Sequence, residues 1–288
     1  MTAQLRDAHG YLFSVLHLLV IGLILYFPAV AQTVAFLTPD MAVSSKSLAE
    51  KLKDRVDPKL KVLDDSLAES AYLSVSPATP FNLTTHEAKR IGAVIGCEVF
   101  ILVRSATQRR SAFQRAEYYE SFATIYVVSS RTGKLVYWKL QQAEAESGDK
   151  SAGLLDLSLG RLLPDIETAI RRAARPEPEV GKPPFVEEFP DEKSQAATAT
   201  KAPVPYRRFK PQYTRQAALF DVKATVDLNV YLDEKGSVIY TEAERWAGFG
   251  LDEAVENNVR SMNWRPAERG GKPFAVKFLV RYNFKKLE

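Results

Sequence analysis

Cysteine and histidine are scarce in this chain. Cys97 is the single cysteine and there are three histidines among 288 residues, so an internal disulfide is excluded and a zinc or copper site built from these ligands is not expected. The 14 glycines include no phosphate-binding glycine loop. A Ser-His-Asp triad would have to use His86, which follows Thr84-Thr85 at a predicted helix start without a nucleophile-elbow pattern. We therefore predict a protein with no enzymatic activity, no cofactor and no metal.

Strong charge of one sign is also missing. The net charge is +4 over the whole chain, and the charges are spread along it, which argues against a nucleic-acid partner. Basic residues concentrate only around Phe113: Arg104, Arg109, Arg110 and Arg115. This cluster is typical of a solvated hairpin loop, and contact with an anionic surface such as lipid headgroups or glycan is the alternative.

One apolar run stands at the N-terminus. Residues 11–27 are apolar except for Ser14, His17 and Gly22, and Pro28 follows the run. The small residues before Gln32 then match a secretory cleavage signal, so we predict a signal peptide of residues 1–31 that is cut between Ala31 and Gln32. The run is at the short limit for crossing a bilayer, and an uncleaved inner-membrane anchor is the alternative. In both cases the rest of the chain lies outside the cytoplasm, and we predict the periplasm.

A proline-rich segment divides the remainder. Seven prolines lie between residues 175 and 211: Pro176, Pro178, Pro183, Pro184, Pro190, Pro203 and Pro205. Such a composition predicts an extended linker that buries little apolar surface. We therefore predict domains at 32–175 and 211–288, joined by a linker at 176–210 and mechanically independent of each other.

Residues 32–175 alternate short apolar runs with helical patterns, which predicts an α/β domain. Strands are predicted at 34–37, 59–63, 99–103, 116–129 and 135–143, and helices at 45–56, 66–72, from 84 onward and at 155–174. The step from Ile95-Gly96-Cys97-Glu98 into an apolar strand, the strand around Lys61-Val62-Leu63 and the Thr132-Gly133 turn resemble the N-terminal domain of TolB and of the curli secretion protein CsgG. That resemblance implies envelope assembly or protein contacts rather than catalysis.

The last quarter of the chain has the clearest pattern. Apolar and polar residues alternate strictly from Val222 to Leu232, which predicts a half-buried antiparallel strand, apolar on one face and solvated on the other. Asp233-Glu234-Lys235-Gly236 predicts a tight turn, and a helix is predicted from Leu251, ended by Pro266. A final alternating run reaches Phe284. The whole chain is predicted to be α+β.

These pieces resemble the C-terminal domain of TonB-family proteins in order and spacing. Pro211 and Tyr213 match the lead-in to the first strand, and Leu251-Asp252-Glu253-Ala254 matches the start of the helix. The chain departs from the family at Met262-Asn263-Trp264, where one aromatic replaces the usual pair, and at Ala224, where glycine is usual. The resemblance implies a β-β-α-β domain with an antiparallel sheet, and it implies binding of outer-membrane receptors by addition of a β-strand.

The last strand is the predicted binding site. A terminal strand offers unpaired backbone groups to a partner strand, and the residues predicted to take part are Lys277, Leu279, Val280, Arg281 and Asn283. Lys277 and Arg281 are alternatively gatekeepers against aggregation. If the strand is not the site, the aromatic residues Trp246, Phe249 and Trp264 are the next candidates.

Two functional hypotheses remain open. In the first, the protein is a soluble periplasmic adaptor that binds an outer-membrane receptor or another envelope protein, with a homodimer possible. In the second, residues 11–27 stay in the inner membrane, and the protein is an energy transducer that couples the proton motive force to transport through inner-membrane motor proteins. His17 within the apolar run favours the second hypothesis, and its alternative is a tolerated polar residue of a signal peptide. A hydrolase acting on an envelope substrate is a remote third reading.

Overall fold

The computed structural model describes residues 32–113, 115–176, 184–190 and 199–286. The predicted signal peptide or anchor, including Ala31 of the predicted cleavage site, lies outside these ranges, and Gln32 is the first described residue. Within the described ranges no helix is both long enough and apolar enough to cross a membrane.

The first domain is built on a mixed five-stranded sheet between two layers of helices. Its elements are β1 (Thr33–Leu37), α1 (Val43–Lys53), β2 (Lys61–Val62), α2 (Asp65–Val75), α3 (Thr85–Ile95), β3 (Val99–Ala112), β4 (Arg115–Ser129), β5 (Leu135–Ala145), α4 (Gly148–Leu159) and α5 (Leu163–Ala174). The strand order is β2-β1-β3-β4-β5, parallel from β2 to β3 and antiparallel from β3 to β5. Helices α1, α4 and α5 pack on one face, and α2 and α3 pack on the other.

Helix α3 begins where the sequence predicts. The Thr84 hydroxyl accepts a hydrogen bond from the Glu87 amide at 3.1 Å, and the Glu87 carboxylate accepts one from the Thr84 amide at 2.8 Å. This reciprocal capping satisfies two amides that the helix itself leaves unpaired. Gly96 ends the helix with φ of 75°, a backbone conformation that favours glycine.

Two elements of this domain differ from the prediction. The helix expected at 155–174 is two helices, α4 and α5, separated around Gly160. Pro164 lies in the first turn of α5, where its missing amide proton costs no hydrogen bond, so it starts a helix here instead of interrupting one. Strand β3 continues to Ala112, well beyond the predicted end at 103, because the long hairpin with β4 pairs its backbone.

The C-terminal part has the predicted β-β-α-β order. From the linker onward the elements are β6 (Glu187–Glu188), β7 (Thr200–Lys201), β8 (Val204–Pro205), α6 (Arg215–Leu219), β9 (Ala224–Leu232), β10 (Val238–Arg245), α7 (Leu251–Ser261), β11 (Trp264–Arg265), β12 (Ala267–Arg269), β13 (Lys272–Phe274) and β14 (Val276–Phe284). The main sheet has the order β10-β9-β14-β6. Leu251, Val255 and Val259 form the buried stripe of α7 that packs on this sheet. The α+β class is confirmed.

The predicted turn between β9 and β10 is also present. The Asp233 carboxylate accepts hydrogen bonds from the amides of Lys235 at 2.9 Å and Ser237 at 2.8 Å. Gly236 has φ of 83°, and a Cβ at this position would lie 2.1 Å from the Trp264 carbonyl oxygen. Only glycine fits this turn without displacing the backbone beside it.

Strand β9 is not half-buried, contrary to the prediction. Both of its faces are covered from Val226 to Leu232, and the polar residues Asp227 and Asn229 are 2% and 8% exposed. The strand is central, between β10 and β14, and long polar side chains of those strands cover its second face. Asp227 forms ion pairs with Arg281 and Arg245, and Asn229 donates to Glu244 at 3.3 Å. The alternation therefore reflects paired buried polar groups and not solvated ones.

Three short segments in the described parts of the linker bind the C-terminal domain, so these segments are not a free extended tether. Strand β6 pairs with β14, β7 with β12, and β8 with β11. Backbone hydrogen bonds to existing strands hold these segments, so little apolar side-chain burial is needed. Amino-acid composition indicates how much apolar surface a segment can bury, but it does not predict backbone pairing of this kind.

The two predicted domains share one hydrophobic core cluster, which argues against the predicted mechanical independence of the domains. Trp246, from the end of β10, packs on Tyr126 of β4 with ring centroids 5.9 Å apart. Its indole N–H donates to the Gly133 carbonyl at 3.0 Å. The Asn82 side-chain amide also donates to the carbonyls of Thr225 and Trp246, at 2.8 and 2.7 Å. Buried contacts of this kind couple the two folding units.

Candidate functional site

The candidate site is the outer edge of β14. One side of the strand pairs with β9 along its whole length, from Val276 to Phe284. On the other side, β6 covers only Val276 and Lys277. No other strand in the described part of the chain pairs with that side, so the edge from Phe278 to Phe284 presents its backbone groups outward. An edge of this kind can accept a strand from another protein.

The position of β6 determines which residues of β14 direct their backbone outward. The Phe189 amide donates to the Lys277 carbonyl at 2.8 Å, so the backbone groups of Lys277 face away from β9. Because these groups alternate sides along a strand, those of Leu279, Arg281 and Asn283 also face outward. Val280 directs its amide toward β9. Of the five residues predicted from the sequence, four therefore share the outward edge, and Val280 does not.

The side chains of these four residues lie on the more exposed face of β14. Leu279 is 48% exposed, and Lys277 lies 3.8 Å from Glu188 of the linker. Asn283 accepts a hydrogen bond from the Thr225 hydroxyl at 2.7 Å. The opposite face of the strand, with Phe278, packs on Trp264 at 5.3 Å between ring centroids.

Arg281 has a structural role. Its guanidinium makes two hydrogen bonds to the Asp227 carboxylate, at 2.6 and 3.0 Å, and this contact raises the pKa of Arg281. Asp227 is nearly inaccessible to solvent, and Arg245 at 3.4 Å is its other cationic partner. Replacing Arg281 would leave the buried Asp227 carboxylate with one weaker partner. A substitution of Arg281 would therefore lower the stability of the domain as well as any partner binding.

The opposite edge of the sheet is less available. Arg245 of β10 forms a β-bridge with Thr84 of the first domain, and the Trp246 amide donates to the Leu83 carbonyl at 3.3 Å. The first domain therefore covers the end of β10. Ile239, near the start of this strand, is 44% exposed.

The aromatic alternative is wrong. Trp246, Phe249 and Trp264 are 1%, 6% and 6% exposed, and they belong to the core shared by the two domains. Tyr126 and Trp138, which pack on Trp246 and Phe249, are more than 100 positions away, so the spacing of those two aromatics in the sequence gave no sign of their burial. Trp264 packs on Phe278 of β14.

Sequence reasoning missed the contact between the linker and this edge. Arg269 of β12 forms a bidentate ion pair with Glu187, at 2.6 and 3.1 Å, and the guanidinium lowers the pKa of the Glu187 carboxyl. The two residues are 82 positions apart. No periodicity or motif in either segment marks them as partners.

Comparison with known proteins bears on the C-terminal domain. A sequence model of the Gram-negative bacterial TonB protein C-terminal family matches residues 210–286. The TonB C-terminal domain of Pseudomonas aeruginosa is 21% identical over 30% of this chain and 88% of that chain, with a TM-score of 0.27. No curated protein sequence matches the chain.

Two further solved structures resemble parts of the chain. The hypothetical protein CT253 from Chlamydia trachomatis is 14% identical, over 50% of this chain and 98% of that chain, with a TM-score of 0.31. The lipoprotein GNA1162 from Neisseria meningitidis is 12% identical, over 48% of this chain and 99% of that chain, with a TM-score of 0.32. The resemblance of the first domain to TolB and CsgG stays a prediction. With the family match and the β-β-α-β order in place, residues 210–286 are a TonB-like C-terminal domain.

Proposed function

We propose that this protein is a non-enzymatic component of a Gram-negative cell envelope that binds an outer-membrane or other envelope protein by β-strand addition. The observation that carries this proposal is the outward edge of β14, at which Leu279, Arg281 and Asn283 lie beside no described strand. The TonB-like domain supports it, since strand addition is the binding mode that the family resemblance implies. Affinity in this mode comes from main-chain hydrogen bonds, and no reactive side chain is needed.

Proline at Leu279 is expected to weaken binding strongly. The Leu279 amide faces outward, so proline removes a donor to the partner and leaves the ladder between β14 and β9 intact. The loss of this hydrogen bond and of the adjoining pairing should reduce affinity by about tenfold or more. The measurement is capture of proteins from the detergent-solubilised outer-membrane fraction of the source bacterium by the immobilised chain.

Leu279→Ala is the matched control, because it removes the same side chain and keeps the amide proton. We expect at least one protein to be retained by the wild type and by Leu279→Ala and lost with Leu279→Pro; we call it the proline-sensitive protein. Circular dichroism should be unchanged in both variants. Equal capture by the proline variant, with an unchanged spectrum, would show that the edge of β14 is not the site.

We place the mature protein in the periplasm, with the membrane-anchored energy transducer as the alternative. The apolar run at residues 11–27, with His17 inside it, is the feature that keeps the alternative open. Mass spectrometry of the protein purified from its source is expected to show an N-terminus at Gln32. An intact N-terminus recovered in the inner-membrane fraction would instead support the transducer.

A further inference from the structure

The linker already occupies one end of the proposed binding edge. Glu187 and Glu188 run parallel to β14, opposite Val276 and Lys277. The Phe189 amide donates to Lys277, and the Phe189 ring is partly buried against the core. This segment uses the same outward backbone groups of β14 that an added strand would use.

Charge holds the segment in this register. Glu187 makes the bidentate ion pair with Arg269, and Glu188 lies 3.8 Å from Lys277. Both carboxylates therefore have a cationic partner on the C-terminal domain. A second anchor follows in the chain, where Lys201 pairs with Glu268 of β12 at 2.9 Å. The segment is thus held on the domain by its own two carboxylates and by the Lys201–Glu268 ion pair that follows it in the chain.

The segment pairs with β14 over a short length, and its ion pair with Arg269 is exposed. Only two residues pair, and Glu187 is half exposed in its ion pair with Arg269. Exposed ion pairs contribute little to stability, and a two-residue ladder has few hydrogen bonds to lose. The edge beyond Phe278 stays open, and an incoming strand can begin to pair there.

We propose that the linker segment 187–189 is an intramolecular strand that competes with the envelope partner for β14, so that full pairing of the partner requires release of this segment. The inference rests on the proposed function, because it concerns regulation of the same edge. Tethering gives the segment a high local concentration, which makes a weak contact an effective competitor. The partner gains the backbone groups of Lys277 only when the segment leaves.

A disulfide lock tests this inference in the full chain. Glu188 and Lys277 are directly opposite in the register, so the double variant Glu188→Cys, Lys277→Cys should form a disulfide under mild oxidation. The native Cys97 is buried and should not interfere. The control is the double variant Glu188→Cys, Leu279→Cys. Leu279 lies on the same face of β14 two residues after Lys277, so its Cα atom is about 8 Å from that of Glu188. That pair should not form a disulfide.

Capture of the proline-sensitive protein from the same outer-membrane fraction is then compared between the oxidised and the reduced double variant. We expect the oxidised form to capture about tenfold less, because the partner loses the two outward hydrogen bonds of Lys277. Reduction of the same double variant should raise its capture about tenfold above that of its oxidised form. The control pair should capture equally in both conditions.

The outcomes separate the inference from the proposed function. If the Glu188→Cys, Lys277→Cys disulfide does not form, the segment does not lie on β14 and the inference fails, while the binding proposal stands. Equal capture by the oxidised and reduced forms of this variant would also contradict the competition, and it would leave the binding proposal standing. If the wild-type chain captures no proline-sensitive protein, the proposed function fails and the competition fails with it.

Discussion

Replacement of Trp246 with alanine is expected to lower the free energy of unfolding by about 3–5 kcal/mol. The side chain is 1% exposed, and it is the largest fully buried side chain of the described residues. Its removal leaves a cavity between the two domains and an unpaired Gly133 carbonyl, because the indole N–H is its donor. The melting temperature should fall by roughly 10 °C for a chain of this size.

The same variant should weaken the coupling between the domains. The wild type is expected to melt in one cooperative transition, since Trp246, Tyr126 and Trp138 lie on both sides of the shared core. Calorimetry on Trp246→Ala should show broadening or separation into two transitions. Hydrogen exchange should also rise around Gly133 in the first domain, which lies far from Trp246 in sequence but contacts its indole ring.

Trp264→Ala is the control for this experiment. Trp264 is 6% exposed and packs within the C-terminal domain, where its indole N–H donates to the Val259 carbonyl at 3.1 Å. It should also destabilise the protein, but without increasing exchange around Gly133. If the wild type melts in two separate transitions, and if hydrogen exchange around Gly133 does not change in Trp246→Ala, the domains are independent, as the linker composition predicted.

Asp252 is expected to make stability fall as the pH rises from about 4 to 7. Its carboxylate accepts hydrogen bonds from the amides of Ala247 at 2.9 Å and Gly248 at 2.6 Å, at the start of α7. Burial is the larger effect, and it raises the pKa of Asp252 to about 7. The carboxyl lines a cavity of about 330 Å³ together with Trp138 and Trp246, so it titrates beside the interface of the two domains.

The sign of this effect follows from proton binding. An aspartate in the unfolded chain releases its proton near pH 4, whereas the folded protein holds this one up to about pH 7. The folded state therefore binds more protons between these values, and its stability decreases as the pH increases. The stabilisation is fully present below about pH 4 and is lost as the pH passes 7, by up to about 4 kcal/mol.

Comparison with Asp252→Asn isolates this contribution from the other ionisable groups. We expect the wild type to lose stability relative to Asp252→Asn by up to about 1.4 kcal/mol per pH unit between pH 4 and 7. Urea unfolding at several pH values measures the difference. Glu234→Gln, which removes one exposed charge from the turn between β9 and β10, is the control. A constant difference between wild type and Asp252→Asn over this range would mean that burial does not raise the pKa.

Much of the local structure could be predicted from the sequence. The alternation in β14 identified which side chains pack inward, with Val276 and Phe284 buried and Leu279 exposed. The Asp233 to Gly236 turn and the Thr84 start of α3 were also correctly placed. These features depend on hydrogen bonds between residues a few positions apart and on the periodicity of one segment. A short stretch of contiguous residues therefore determines each of these features.

Other features depend on contacts between distant parts of the chain, and the tertiary structure alone decided them. Asp227 is buried because Arg281, 54 positions away, supplies its counter-charge. The Leu279 amide, rather than that of Val280, faces outward, and the pairing of Phe189 with Lys277 shows it. Glu187 and Glu188 of the linker pair with β14 through their backbone, which composition does not encode. In each case the energy comes from a partner that local sequence cannot identify, because pairing across long separations is set by how the elements pack.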